Sequence, residues 1–188
     1  MISRVLLVRH GPSSHVHDGR WMYHHRVREF EDAYDAASIL HDSTPPDDLR
    51  RAAARADLLC SSDLPRAIAS VERVAPGRAV AISPLLREIR LEPPRWIPVR
   101  LPIAVWDYFS HAQWSYRLRT RCDHEFVRRA DDAIDWLEHN SPHASTVLVL
   151  THAGFRRILA GRLIARGWRH AREKQSYAHW STWELQRN

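Results

Sequence analysis

Two histidines stand at the ends of apolar runs, in Val5-Leu6-Leu7-Val8-Arg9-His10-Gly11 and in Val147-Leu148-Val149-Leu150-Thr151-His152-Ala153-Gly154. An imidazole can serve as nucleophile, base or hydrogen-bond donor, and Arg9 sets a permanent cation beside the first, a pairing suited to an anionic reactant. A second cation, Arg66, lies in Ser62-Asp63-Leu64-Pro65-Arg66-Ala67, where another apolar run opens into a helix start. Helix N-termini favour anions through their free N–H groups and their dipole. Each signal alone is weak. Arg-His occurs twice, at Arg9-His10 and Arg169-His170, as composition gives by chance, and a single arginine is ordinarily a solvated surface group. Their joint placement is what points to a site: both histidines fall at equivalent strand ends, both arginines on neighbouring turns, and Glu88 just past a third apolar run.

These groups need a scaffold that brings strand ends together. Val5–Val8 and Thr146–Leu150 are short and continuous, as expected of strands buried on both faces of a parallel sheet. Asp57–Cys60 and Arg78–Ile82 read as further strands, and Tyr177–Leu185 as a last, loosely alternating edge strand. Helical spacing is expected at Val27, Phe30, Tyr34 and Ala37, over 49–56, from Asp63 as N-cap to Pro76-Gly77, over Phe126–Leu137, and from Phe155 to Leu163. Strands alternating with helices predict an α/β fold, a three-layer αβα sandwich with a mainly parallel sheet. One domain is expected over 1–188. It carries an irregular insertion at about 89–121, rich in Pro and Trp, with a short helix near Ile103–Phe109. Trp96, Trp106 and Trp114 there suit a satellite core or a pocket wall, and Trp180 and Trp183 suit core or interface equally. Gly11 is expected to permit a sharp turn and close approach to the backbone.

The 188 residues carry a formal charge of +6, 44% hydrophobic and 27% charged residues, ordinary for a globular protein. The arginines are interleaved with acids and form no basic run, so small anionic substrates fit the charge better than nucleic acid. Apolar runs are too short to span a bilayer and no signal-peptide pattern opens the chain, so a cytoplasmic protein with no membrane partner is expected. Cys60 and Cys122 form no Cys-x-x-Cys pair and read as buried thiols. His15, His17, His24 and His25 are dense but lack metal-ligand spacing, so neither a metal nor another cofactor is expected. Oligomeric state is not legible.

Jointly, Arg9-His10-Gly11, Ser62 to Ala67, Glu88 and Thr151-His152-Ala153-Gly154 resemble the histidine phosphatase superfamily, the phosphoglycerate mutase-like proteins, in order over nearly the whole chain. The resemblance implies that His10 is a nucleophile forming phosphohistidine. It implies that Arg9, Arg66 and His152 hold the phosphoryl group, with Ala153 as a further phosphate contact; Ser13, with Ser14 or His15 as alternatives, could donate an extra hydrogen bond to phosphate. Glu88 is then the proton donor, with Glu92 as fallback. Adjacent guanidiniums would keep His10 neutral, as nucleophilic attack requires. Pro12 stands where the mutases usually carry Glu and Val16 where they carry Asn, which weakens a mutase reading. Ala153 rather than Asp after the second histidine places the chain outside the acid-phosphatase and phytase branch. The expected function is a phosphatase acting on a small phosphorylated substrate. The alternatives are a phosphohistidine or other phosphoprotein phosphatase, a phosphoglycerate mutase-type transferase, and a non-catalytic phosphate-binding protein.

Overall fold

A computed structural model describes residues 1–15, 19–120 and 125–187, with the side chains of 117–120 outside that description. Val16, His17 and Cys122, singled out above, lie outside the described residues. At the centre, β1 (Arg4–Arg9) and β6 (Thr146–Thr151) run parallel, with Leu6 opposite Leu148 and Arg9 opposite Thr151. Parallel pairing adds β3 (Leu58–Ser62) beside β6 and β4 (Ala81–Ser83) beside β3. On the other flank β8 (Thr182–Gln186) runs antiparallel to β1, and β7 (Arg169–His170) antiparallel to β8. Two further short strands, β2 (Trp21–Met22) and β5 (Leu101–Pro102), form a separate ribbon.

Successive side chains of a strand face opposite ways, so each central strand feeds two cores. Val5, Leu7, Val147 and Val149 pack under α5 (Glu125–Asn140) and α6 (Ala153–Ala165), meeting Ile134, Leu137, Phe155 and Leu159. Leu6, Val8, Leu148 and Leu150 pack against α2 (Asp47–Arg55) and α3 (Pro65–Val74). Three layers result, as the double-sided apolar runs require. Each such side chain contributes about 1.5–3 kcal/mol on full burial. A smaller cluster of Met22, Val27, Ile103 and Trp106 ties α1 (Val27–Ala36) to α4 (Ile103–Thr120).

Four expectations are corrected. The last strand is Thr182–Gln186 rather than Tyr177–Leu185, and it is interior between β1 and β7, with Trp183 and Leu185 buried. Residues 177–181 are instead drawn onto the end of β1, as described below. The expected strand over Arg78–Ile82 is displaced to Ala81–Ser83, because Arg78 turns its guanidinium onto the carbonyls of Ala53 and Ala56 at the end of α2. Asp63 does not cap α3; Leu64 occupies that position, and the Asp63 carboxylate takes the two-pronged Arg87 guanidinium at 2.7 and 2.6 Å. The insertion is not irregular throughout. Its prolines all precede Ile103, and from there α4 runs 18 residues without Pro or Gly. Trp106 is fully buried in the satellite cluster, Trp114 is buried in the main core, and Trp96 is exposed. Trp180 and Trp183 are core residues and Cys60 is buried. Among the described residues no helix is long and apolar enough to cross a membrane, and no cluster of three or more metal-ligating side chains is present.

Candidate functional site

His10 ends β1 and is 1% exposed. Its Nδ1 lies 2.6 Å from the Gly11 carbonyl oxygen. A carbonyl only accepts, so Nδ1 carries the proton and Nε2 keeps the lone pair. Burial first, then Arg66, Arg9 and His179, hold its pKa well below the ordinary histidine value. The ring is therefore neutral near pH 7. Desolvation outweighs the guanidiniums that the sequence alone suggested as the cause. The His152 ring centroid is 5.0 Å from that of His10, so the two strand ends converge.

His152 is fully buried, and its pKa is likewise pushed well down by burial, then by His10 and Arg66. Both its nitrogens have protein partners: Nδ1 accepts from Arg66 Nε at 3.3 Å, and Nε2 meets Ser62 Oγ at 3.0 Å. The first bond requires a bare Nδ1, which places the proton on Nε2, pointing at Ser62.

Arg66 is not a solvated surface group but a fully buried one. Beyond His152, its Nη1 donates to the Tyr34 carbonyl at 3.0 Å and its Nη2 to Asp35 Oδ1 at 3.0 Å. Its guanidinium also lies 4.2 Å from the Tyr34 ring centroid. The last turn of α1 thus meets the cation with a carboxylate, a helix-end carbonyl that also takes the Ala37 N–H, and an aromatic face, each attracting positive charge. Asp35 escaped the sequence reading because it sits on the polar face of an amphipathic helix, where acids are ordinary. Tyr34 was read only as a core-facing position.

Glu88 caps the start of α6. Oε1 accepts from Phe155 N at 2.8 Å and Ile89 N at 3.0 Å, and Oε2 from Gly154 N at 3.2 Å. A Cβ on residue 154 would approach Glu88 Oε1 to 2.9 Å, so glycine there admits the carboxylate. Arg129 donates to the Arg87 and Glu88 carbonyls at 3.1 and 3.4 Å and steadies the segment from outside. Ala153 opens α6 beside these groups. Ser13 is differently employed, its Oγ accepting from His15 N at 3.1 Å. Glu92 donates its N–H to Ser110 Oγ on α4.

The C-terminal segment before β8 holds the strand end that carries His10. Arg9 N–H donates to the Ser181 carbonyl at 3.1 Å and Trp180 N–H to the Arg9 carbonyl at 3.2 Å. The Arg9 guanidinium donates through Nη1 to the Tyr177 carbonyl. His179 Nδ1 donates to the His10 carbonyl at 3.1 Å. The Trp180 indole lies against Gly11, where an added Cβ would come within 2.3 Å of Cζ2. Close approach, not a special turn, is what glycine supplies at position 11. Trp180 itself has φ 64°, left-handed and costly for a bulky residue by about 1–3 kcal/mol. Beneath this segment, the fully buried Arg156 donates to the carbonyls of Ser181 and Ser176 at 2.7 and 3.0 Å. These pairings join residues up to 172 positions apart, from Arg9 to Ser181, so no local sequence pattern marks them.

A cleft of about 500 Å³ opens over the site. One end is lined by Arg9, Arg66, Glu88, Ala153 and Gly154, and the other by side chains of α1, α4 and the loop after Glu88. His10 and His152 lie beneath its floor, and Ser13 and Glu92 are not among its lining residues. The cleft is a place for an anion next to a neutral imidazole, with Arg9 and Arg66 at one end and the exposed Arg90 and Arg157 elsewhere in its lining.

A search of curated sequences finds no match. Among solved structures, a mycobacterial glucosyl-3-phosphoglycerate phosphatase determined with VO3 superposes with a TM-score of 0.54 at 20% identity, covering 87% of this chain and 82% of that one. A protein described as mycobacterial hydrolase 1 gives 0.54 at 21% identity, with 87% and 79% covered. A phosphoserine phosphatase of Entamoeba histolytica, in complex with 3-phosphoglyceric acid, gives 0.51 at 13% identity, with 87% and 81% covered. At these identities the likeness is one of fold. A family model describing the histidine phosphatase superfamily (branch 1) matches residues 5–188, and the chain belongs to that superfamily.

Proposed function

We propose that the protein hydrolyses phosphomonoesters through a phosphohistidine at His10. The observation that carries this reading is the His10 Nδ1 contact to the Gly11 carbonyl, which leaves a bare Nε2 beside the buried cations. In the first step the Nε2 lone pair forms a bond to phosphorus as the ester P–O bond breaks. Its electron pair leaves on the alkoxide, which takes a proton from the Glu88 carboxylic acid. In the second, water attacks phosphorus, returns its proton to Glu88, and the P–N pair goes back to Nε2, leaving inorganic phosphate.

Charge developing on the equatorial oxygens is met by Arg9 and Arg66. Three of the five Arg66 N–H donors are engaged with His152, Tyr34 and Asp35, which leaves two for phosphate. Arg9 keeps a buried Nε–H with no hydrogen-bond partner among the described residues, a donor suited to a ligand oxygen. His152 reaches a phosphoryl oxygen by turning its Nε2–H from Ser62, and Ala153 stands as a further contact, whereas Ser13 lies off the cleft. Two guanidiniums supply the positive charge that a metal supplies elsewhere, so the reading is of a metal-independent hydrolase. The bounded cleft favours a small ester over a phosphorylated protein side chain.

The test is turnover of 4-nitrophenyl phosphate. His10→Ala is expected to lower kcat by at least about 10³-fold, and the native enzyme to trap an acid-labile phosphoryl label that the variant does not. Full hydrolysis by His10→Ala overturns the mechanism. Loss of native activity in excess EDTA overturns the metal-independent part.

A further inference from the structure

The far end of the cleft carries a carboxyl group that the proposed chemistry does not use. Glu31 on α1 lines the cleft four residues before Asp35, on the same helical face and about 6 Å back along the axis from the Arg66 partner. Its Oε1 accepts from Leu91 N at 2.6 Å. Its Oε2 has no hydrogen-bond partner among the described residues, and no cation lies within ion-pairing distance of the carboxyl there. The apolar part of the cleft lining includes Phe30, Leu91, Ile103, Trp114 and Ile158. Burial raises the Glu31 pKa to about 7, so above that pH, where the esters below are to be compared, the group is a carboxylate and Oε2 is an acceptor only.

The other charged groups of this end are placed differently. Arg90 and Arg157 are exposed at the rim, and Arg90 faces Asp32 at 3.5 Å. Asp107 and His111 face each other at 3.4 Å. Asp35 and Asp107 also line the cleft, but each is held by a cation through Oδ1, whereas Glu31 has no such partner among the described residues and presents Oε2 to a ligand.

We infer that Glu31 is a specificity-determining residue. The substrate it selects is a phosphomonoester whose leaving group joins an apolar, ring-sized body to a hydroxyl or amino donor about one helical turn from phosphorus. The inference rests on the phosphomonoesterase reading and deepens it. A leaving group that fills the cleft without a donor strands the Glu31 oxygen away from water, and one with a carboxylate sets two acceptors against each other.

Four esters test it: phenyl phosphate and its 4-hydroxymethyl, 4-aminomethyl and 4-carboxy derivatives. For the native enzyme, the two donor-bearing esters are expected to exceed phenyl phosphate in kcat/KM by about tenfold or more, with the carboxy ester below it. Glu31→Gln, which keeps an acceptor for Leu91 N–H but turns a donor into the cleft, is expected to bring the aminomethyl-to-carboxy ratio down by about tenfold or more. Equal native kcat/KM on all four esters, a native preference for the carboxy ester, or an unchanged ratio in Glu31→Gln overturns the inference and leaves the phosphatase reading standing. Hydrolysis of none by the native enzyme overturns both.

Discussion

The two ends of the cleft are built on opposite plans. At the phosphate end, side chains issue from strand ends and helix starts and are braced from several directions. Arg66 has three protein acceptors, His152 has a partner on each nitrogen, and Glu88 takes three backbone N–H groups. At the leaving-group end the walls come from α1, α4 and the prolyl loop, and their ion pairs, His111 to Asp107 at 3.4 Å and Arg90 to Asp32 at 3.5 Å, are long and partly solvated. A phosphoryl group has one size and one charge pattern, so rigid placement lowers the cost of reorganising around it. Leaving groups differ, and loops and insertions can change there without disturbing the sheet.

Breaking the braced end should be the costliest change. Arg66→Ala is expected to lower kcat/KM by about 10³-fold and to destabilise the fold by about 3–5 kcal/mol, because Asp35 loses its buried partner. Arg66→Lys is expected to recover little, since an ammonium cannot reach His152, Tyr34 and Asp35 together. Steady-state kinetics and denaturant unfolding read both effects. A milder break is Gly11→Ala, whose methyl group meets the Trp180 ring. It should cost about 1–3 kcal/mol of stability and lower kcat by displacing His10, with a smaller change in KM; unfolding midpoints and kinetics again decide.

A pH titration sharpens the comparison with no substitution. Protonating Nε2 removes the nucleophile, so activity falls as pH falls through the His10 pKa, and that pKa lies well below 6.5. The acid limb of kcat/KM, measured on free enzyme and free substrate, is therefore expected below the ordinary histidine range. A limb centred at 6.5 would contradict the buried, neutral His10. The smallest effect is expected at the opposite end. Trp96 is 78% exposed, and Trp96→Ala should change stability by less than about 0.5 kcal/mol, readable as an unmoved unfolding midpoint.

Much of the braced end was legible before the structure. Val5–Val8 and Val147–Leu150 announce double-sided burial by their unbroken apolar character, and a strand that ends in Arg-His or Thr-His must present those groups at its C-terminal edge. The reach of α4 was hidden because the prolines before it dominate the local pattern. Asp35, His179 and Trp180 were hidden because nothing near them in sequence is unusual; their partners are Arg66, His10 and Gly11.

By itself the sequence determined the layers and the strand ends, since hydrophobic periodicity and strand direction are local properties carried in a few consecutive residues. Only the tertiary structure decided how deeply His10 is buried against His152, what restrains Arg66, and which carboxyl lines the cleft without a cation partner. Those outcomes depend on hydrogen bonds and burial between residues tens to more than a hundred positions apart, and such distances exist only once the chain has closed on itself.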